Sequence, residues 1–209
     1  MTEKEKMLAG MIYDPSDSEL DKRRVKCHAL CAEFNAMRED DPKRGALLKE
    51  LLPNADPSFA LMAPCHFDYG DNIYVGKNCF ANFGFTVLDT CKVIIGDDVF
   101  IGPNVSLVTP IHPLLNEERK MRFREDGSAY DLEYGAPLEI GDGTWIASNV
   151  VVGPHVKIGK NCVIGMGSVV TKDIPDGYLA YGNPCKPIRK ITKEDSIYNK
   201  ERLWEHEQG

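Results

Sequence analysis

The chain has 209 residues, 43% of them hydrophobic and 27% charged, and a formal net charge of −7. These values are typical of one soluble globular domain, with or without a small appendage, and an acidic balance disfavours a nucleic-acid partner. No apolar run approaches the ~18 residues that cross a membrane, and the charged N-terminus lacks the apolar core of a signal peptide. We therefore expect a cytoplasmic protein with no membrane partner.

The first segment of the chain, residues 1–56, has a helical pattern. Ser16 or Asp17 can cap a helix that runs through ELDKRRVKCHALCAEFNAM, where apolar residues recur at helical spacing. Pro42 then opens a second helix, KRGALLKELL, which Pro53 closes. The sequence therefore predicts a small helical cap over residues 1–56.

A repeat with a period of six dominates the rest of the chain. From Ile140 the sequence reads IGDGTW, IASNVV, VGPHVK, IGKNCV, IGMGSV and VTKDIP, and the same frame starts earlier at Val75 and Ile95. A branched aliphatic residue followed by glycine at this spacing suits a short strand and a tight corner. Each strand is too short to be stable alone, so the repeats must stack as coils. We predict a mainly β domain of stacked hexads over residues 57–192, followed by a polar tail, 193–209.

One long polar segment, residues 113–139, interrupts the repeats directly after His112. A loop of this length is usually functional or disordered. Histidine can act as a general base near neutral pH, although a surface loop histidine would look the same. The other histidines are scattered along the chain, which disfavours a zinc site of three converging ligands, so we expect no metal.

The seven cysteines also bear on metal and on disulfides. Their number is odd and the chain contains no CxxC pair. Reduced cysteines that serve as small apolar filler are the simplest interpretation.

Longer sequence motifs indicate one family among the proteins built from such repeats. MTEKEKMLAGMIYD, FDYGDNIYVGKNCFANF, HP followed by EYG, VVTKDIP and GNPCKPIRKI resemble the maltose and galactoside O-acetyltransferases of the hexapeptide-repeat acyltransferase superfamily, over residues 2–192. The resemblance is closer to the maltose type. It implies a left-handed parallel β-helix of hexapeptide repeats with an N-terminal helical cap and one long protruding loop. It also implies a homotrimer that transfers acetyl from acetyl-CoA directly to a hydroxyl of a sugar such as maltose or glucose.

The resemblance assigns roles to particular residues. His112 matches the catalytic base and Asn82 the asparagine that faces the acetyl acceptor. The positions that match acceptor-binding residues are Asp14, Arg23, Asp68 and Phe80. The positions that match acetyl-CoA-binding residues are Ser148, Met166, Gly167, Thr171, Lys172, Lys186 and Arg189.

The sequence departs from the family in two places that concern the acceptor. Thr90 stands where galactoside acetyltransferases carry a second acid, and the loop after His112, which carries KMRFREDGSAYD, is longer than usual. We expect this loop to reach a neighbouring subunit.

Three other functions remain open at this point. They are acetyl transfer to a non-sugar hydroxyl such as an antibiotic or serine, a non-catalytic trimeric β-helix that binds a ligand, and a metal-dependent hydratase.

Overall fold

The structure is a computed structural model that describes residues 1–200 and Leu203. The rest of the predicted tail 193–209 lies outside the described residues. In the described part of that tail, two short 3-10 turns span Lys193–Asp195 and Ile197–Asn199.

The N-terminal end of the molecule is formed by the helices α1 Glu3–Leu8, α2 Ser18–Ala36 and α3 Arg44–Leu51. A further short helix, α4 Asn116–Arg119, lies inside the long loop. Asp17 caps α2, since its carboxylate accepts hydrogen bonds from the backbone N–H groups of Glu19 and Leu20.

Short strands make up most of the remaining chain. They are β1 Asn54–Ala55, β2 Ala60–Leu61, β3 Cys65–Phe67, β4 Ile73–Val75, β5 Phe80–Ala81, β6 Phe85–Leu88, β7 Val93–Ile95, β8 Phe100–Ile101, β9 Ser106–Val108, β10 Pro110–Ile111, β11 Arg122–Phe123, β12 Ala129–Tyr130, β13 Tyr134–Gly135, β14 Leu138–Ile140, β15 Trp145–Ile146, β16 Val151–Val152, β17 Lys157–Ile158, β18 Val163–Ile164, β19 Val169–Val170, β20 Tyr178–Gly182 and β21 Cys185–Lys190.

These strands stack into a parallel solenoid with three faces. The first face has the order β1-β4-β7-β14-β17, the second β2-β5-β8-β15-β18-β20-β21, and the third β3-β6-β9-β16-β19. Each turn of the chain contributes one strand to each face, and only β21 runs antiparallel to its neighbour on these faces. The predicted coil of hexapeptide repeats with a helical cap is thereby confirmed.

The hexad frame explains which side chains form the core. The aliphatic residues that open the six continuous hexads are all at most 2% exposed, and so are the fifth residues of those hexads, Thr144 to Ile174. One apolar column therefore runs through the solenoid. All seven cysteines are buried as free thiols.

Two adjacent valines on the third face allow a matched test of this column. Val152 is fully buried, whereas Val151 points outward and is 38% exposed. We expect Val152→Ala to lower the free energy of unfolding by about 2 kcal/mol, because it removes buried methyl groups and leaves a cavity. Val151→Ala serves as the control and should change it by less than about 0.5 kcal/mol in urea unfolding. Equal effects of the two substitutions would contradict this packing.

The corners between faces demand special backbone conformations. The non-glycine residues with left-handed φ are Asn78, Asp98, Asn104, Asn149, His155 and Asn161. At Gly96 a Cβ would lie 2.8 Å from the backbone nitrogen of Asp142 in the next coil. Only glycine fits at that distance, which accounts for the glycine after the aliphatic residue at this position.

Both ends of the solenoid are covered by other structure. At the N-terminal end, α2 packs on β3, and the Asn35 side chain exchanges two 2.8 Å hydrogen bonds with the backbone of Cys65. At the other end, β20 turns back through β21, an edge strand that contains Pro187 and exposed basic side chains.

Two boundaries differ from those expected. β1 pairs with β4, so the first face already begins at Asn54, inside the segment 1–56 predicted as the helical cap. β14 pairs with β7 from Leu138, so the last two residues of the predicted loop 113–139 belong to a coil. Strands of two or three residues have no alternation long enough to mark these boundaries in the sequence.

No helix in residues 1–200 is both long and apolar enough to cross a membrane.

Candidate functional site

His112 stands where the long loop leaves the solenoid. The preceding strand β10 pairs antiparallel with β13, which joins the two ends of the loop. The imidazole is 53% exposed, and its Nδ1 lies 3.7 Å from Oδ2 of Asp131. A carboxylate on that side favours the tautomer that carries its proton on Nδ1. Nε2 is then available to accept a proton from a bound hydroxyl.

Asp131, the neighbour of His112, also lines a cavity of about 300 Å³. It is lined by Tyr13, Pro15, Ser16, Arg24, Asp68, Tyr69, Thr90, Asp131 and Glu133. Polar groups that converge between aromatic walls are typical of sites for small, hydroxyl-rich molecules.

Two carboxyl groups of the cavity have perturbed acidity. Burial raises the pKa of Glu133, and the Tyr13 hydroxyl and the nearby His112 partly oppose this shift. Burial also raises the pKa of Asp68, which lies 3.6 Å from Nε2 of His28. A carboxyl group with a raised pKa stays protonated over a wider pH range, and in that form it can donate as well as accept hydrogen bonds.

Tyr13 lines the cavity from the segment between α1 and α2, residues 9–17, which we name the N-terminal arm. Its backbone pairs with Glu133 through hydrogen bonds of 2.9 and 3.2 Å. The side chain is 1% exposed, and burial together with the neighbouring Glu133 raises the pKa of the phenol. Within the described residues, no group lies at good hydrogen-bond distance from the Tyr13 hydroxyl, but the Glu133 carboxyl is close enough to interact with it. Tyr13 and Glu133 therefore form one polar part of the cavity wall.

Asp89 holds the segment that carries Asp68. It is fully buried, and its carboxylate accepts hydrogen bonds from the backbone N–H groups of Asp68, Tyr69 and Gly70 at 3.1, 2.9 and 2.8 Å. Burial raises the pKa of Asp89 to about 7 despite these donors. One carboxyl group therefore fixes the backbone on one side of the cavity.

This shift predicts a pH dependence of stability. Because the pKa of Asp89 is higher in the folded state, its contribution to stability is complete below about pH 4 and is lost as the pH rises towards 7. We expect the free energy of unfolding of the wild type to fall by about 2 kcal/mol more than that of Asp89→Asn between pH 5 and 7. Urea unfolding at pH 5, 6, 7 and 8 measures the difference. Parallel curves for the two proteins would contradict the shift.

Asp14 lies at the edge of this cavity, but its carboxylate is already engaged. Arg124 of the long loop donates a hydrogen bond to it, and the Asp14 backbone N–H donates to Glu3 at 2.7 Å. An acceptor would therefore meet the Asp14–Arg124 pair and not a free carboxylate.

Arg23 is directed away from the cavity. Its guanidinium binds both carboxylate oxygens of Asp71, at 2.6 and 2.7 Å. The next residue, Arg24, lines the cavity instead and donates to the carbonyl oxygen of Pro15 at 3.3 Å. Consecutive helical residues point about 100° apart, so only one of the two can face the cavity.

Asn82 and Phe80 lie elsewhere on the solenoid. Phe80 is on the second face, with its ring centroid 6.4 Å from that of Phe100. Asn82 begins the corner between the second and third faces. Its side-chain oxygen accepts a 2.8 Å hydrogen bond from the Phe83 N–H, which leaves the amide NH₂ group to act as a donor.

The predicted acetyl-CoA residues divide between two corners. We name the turns that begin at Asn82, Gly102, Ala147 and Gly165 the asparagine corner; they are stacked through backbone hydrogen bonds. Ser148, Met166 and Gly167 belong to this corner, and the Gly167 N–H donates to the Ser148 carbonyl at 2.9 Å. Met166 is 78% exposed.

Thr171 and Lys172 belong to a different edge, which we name the histidine corner. It consists of the turns that follow the third face, after Leu88, Val108, Val152 and Val170, and His112 also lies there. The strands of the third face separate the two corners by roughly 15 Å along the chain direction. The structure therefore does not bring Asn82 and His112 of one chain together.

Lys186 and Arg189 lie on the edge strand β21, exposed to solvent. Arg189 binds Asp195 through two hydrogen bonds of 2.8 and 2.6 Å, and this guanidinium holds the pKa of Asp195 well below its usual range. Lys186 carries an exposed positive charge beside it.

No group of three His, Cys, Asp or Glu side chains with metal-binding geometry occurs within residues 1–200.

Sequence reasoning missed several groups of the cavity, among them Tyr13, Arg24, Asp131 and Glu133. Two of them had a usable signal. Tyr13 precedes Asp14, and Glu133 belongs to the EYG motif that was used only to identify the family. Asp131 lies in the lengthened part of the loop, where a match to relatives gives no guidance.

Three family models match the chain. The maltose acetyltransferase hexapeptide capping motif matches residues 6–56, the bacterial transferase hexapeptide with six repeats matches residues 137–172, and the hexapeptide repeat of succinyl-transferase matches residues 92–112.

Similar proteins cover almost the whole chain. The galactoside O-acetyltransferase of Escherichia coli K12 is 39% identical over 93% of this chain and 92% of its own length. The crystal structure of a maltose O-acetyltransferase from Clostridium difficile 630 has a TM-score of 0.83 and 44% identity, and the match covers 92% of this chain and 99% of the other. A galactoside acetyltransferase in complex with coenzyme A has a TM-score of 0.81 and 38% identity, with 93% and 94% covered. The repeats, the helical cap and these similarities together establish that the chain belongs to the hexapeptide-repeat sugar O-acetyltransferases of the maltose and galactoside type.

Proposed function

We propose that this protein transfers the acetyl group of acetyl-CoA to a hydroxyl of a small sugar such as glucose or maltose, at sites formed between neighbouring copies of a homotrimer. The observation that carries the proposal is His112 beside a cavity of about 300 Å³ walled by carboxyl and phenol groups.

His112 supplies the base for this reaction. Its Nε2 takes the proton of the acceptor hydroxyl as the hydroxyl oxygen bonds to the acetyl carbonyl carbon. The carbon–sulfur bond then breaks, and the imidazolium returns the proton to the departing thiolate. Asp131 lies near Nδ1 and stabilises the imidazolium between these two steps, as a carboxylate beside a catalytic histidine does elsewhere.

Asn82 supplies a hydrogen-bond donor for the oxygen that becomes negative during transfer. The Phe83 N–H holds its side-chain oxygen at 2.8 Å, so the amide group is oriented before substrate binds. Preoriented donors of this kind stabilise the transition state more than the ground state.

The surface along both corners suits acetyl-CoA. Exposed Met166 and the turn backbone at Ser148 and Gly167 offer an apolar wall and hydrogen-bonding groups for the pantetheine arm. Exposed Lys172 and Lys186 offer positive charge for the phosphates on a chain that is acidic overall.

The separation of the two corners supports a site shared between subunits. If the histidine corner of one copy faces the asparagine corner of the next, then His112 and Asn82 approach each other across the contact. A head-to-tail contact of this kind closes into a ring, and three copies give the trimer that the family resemblance implies.

The first test is the consumption of acetyl-CoA by the purified protein with maltose, glucose, a thiogalactoside, serine and chloramphenicol. Thioester absorbance is the readout, because a thiol reagent would also detect the seven free cysteines in any protein that unfolds during the assay. The proposal requires turnover that depends on a sugar. Turnover with serine or chloramphenicol alone would replace the acceptor class, and binding of acetyl-CoA without any turnover would indicate a binding protein.

A further inference from the structure

The lengthened part of the loop folds into a hairpin. Strands β11 and β12 pair antiparallel, with Arg122 opposite Tyr130. The turn between them is closed by the Arg124 N–H, which donates to Ser128 O at 2.9 Å, and by Gly127 at a φ of +81°. The hairpin is therefore an ordered element with its own backbone hydrogen bonds.

Arg124 connects this hairpin to the N-terminal arm. Its Nη2 donates to the Asp14 carboxylate, and its Nη1 donates to Ser128 Oγ at 3.0 Å. The guanidinium also lies 4.6 Å from the ring centroid of Tyr130. These contacts hold the guanidinium in one position. The entropic cost of doing so is small, because the planar guanidinium is rigid and loses little freedom with each hydrogen bond that it forms.

The Arg124–Asp14 ion pair lies close to the cavity that we propose as the acceptor site. One part of the cavity wall comes from Tyr13, Pro15 and Ser16, and another part comes from Asp131 and Glu133. The backbone pair between Tyr13 and Glu133 joins these two segments at one point. The Arg124–Asp14 pair joins the first of these segments to the hairpin, which ends immediately before Asp131, so both connections hold the loop against residues 13–16 beside the cavity.

We propose that Arg124 is a specificity-determining residue that latches the hairpin onto the segment 13–16 beside the acceptor cavity and so favours acceptors of a single sugar ring. The proposal rests on the proposed function, because it takes the cavity as the acceptor site. The volume of about 300 Å³ is at the lower end of small-molecule sites, which leaves little room for a second ring while the latch is closed. A disaccharide must open the latch to bind, and its affinity is lowered by the free energy of opening.

The test compares Arg124→Ala with the wild type in the presence of coenzyme A. Hydrogen exchange at the backbone amides of Arg124 and Gly127 reports on the hairpin, and calorimetry gives the Kd of glucose and of maltose. Half-exposed ion pairs of this kind change equilibria by up to about five-fold. We expect up to about five-fold faster exchange and up to about five-fold tighter maltose binding, with less than a two-fold change for glucose.

Two further variants make the result specific. Arg122→Ala, in the same hairpin, removes an arginine whose guanidinium donates to Glu118 O at 3.4 Å and should leave the Kd ratio unchanged. Arg124→Lys keeps the charge without the fork and should fall between Arg124→Ala and the wild type.

The outcomes separate this inference from the proposed function. Unchanged exchange in Arg124→Ala would overturn the latch, and faster exchange with an unchanged Kd ratio would overturn the size selection. If neither sugar binds, the proposed acceptor fails and the size selection with it, and the exchange data alone then decide whether the latch exists.

Discussion

Replacing His112 by alanine is expected to lower kcat for acetyl transfer about 10²- to 10⁴-fold, because the acceptor hydroxyl then has no positioned base. The imidazole lies at the loop end of the histidine corner, and in the part of the chain that the structure describes it makes no hydrogen bond; Oδ2 of Asp131 lies 3.7 Å from its Nδ1. The affinity for acetyl-CoA should therefore change little. The measurement is thioester consumption with the best acceptor from the panel, together with acetyl-CoA binding by calorimetry.

A matched histidine serves as the control for this substitution. His155 is also exposed and also belongs to the histidine corner, but it lies in a later turn with a left-handed φ of 63°. His155→Asn keeps a residue that tolerates this conformation and should retain activity within about two-fold. A His112→Ala protein that keeps most of its kcat would remove the base from the mechanism.

The second large effect is the recovery of activity when two inactive variants are mixed. Asn82→Ala alone should lower kcat about 10²- to 10³-fold, as the loss of one oriented donor does. If each site combines His112 of one subunit with Asn82 of the next, a trimer that contains both His112→Ala and Asn82→Ala subunits can form an intact site. If the two variants are present in equal amounts and assemble at random, about one quarter of the contacts between subunits combine an unchanged His112 with an unchanged Asn82.

Co-expression of the two variants with different affinity tags, followed by purification through both tags, isolates these hybrids. Every mixed trimer has one intact contact out of three, so we expect the doubly purified hybrids to regain about one third of the wild-type rate. Hybrids that stay as inactive as their parents would show that one chain supplies both groups, contrary to the separation of the two corners.

The repeat was the most predictable feature of the molecule, for a physical reason. A coil places the same hexad position at the same depth in every turn. The six-residue spacing alone therefore predicts that Ile140, Ile146 and Ile164 are buried. Helix α2 was predictable as well, since Asp17 provides the cap and the apolar spacing provides the buried face. Helix α1 has six residues, too few for a periodic pattern, and was not predicted.

The residues of the candidate site could be predicted only where they belong to a sequence motif of the family. Arg23 and Arg24 are adjacent basic residues, and the helical rotation that sends one to Asp71 and the other to the cavity depends on packing. The contact between Arg124 and Asp14 joins residues 110 positions apart in the chain. Nothing local in the sequence could indicate that contact.

The two covered ends of the solenoid limit how the protein associates. A coil made of equivalent hexads contains no signal for its own length, and an open parallel edge would accept a strand from another molecule. At the N-terminal end α2 lies over β3, and at the other end the reversed strand β21 presents Pro187, which cannot donate, among basic side chains. These terminations oppose axial growth into fibres, so assembly is confined to lateral contacts between faces and corners.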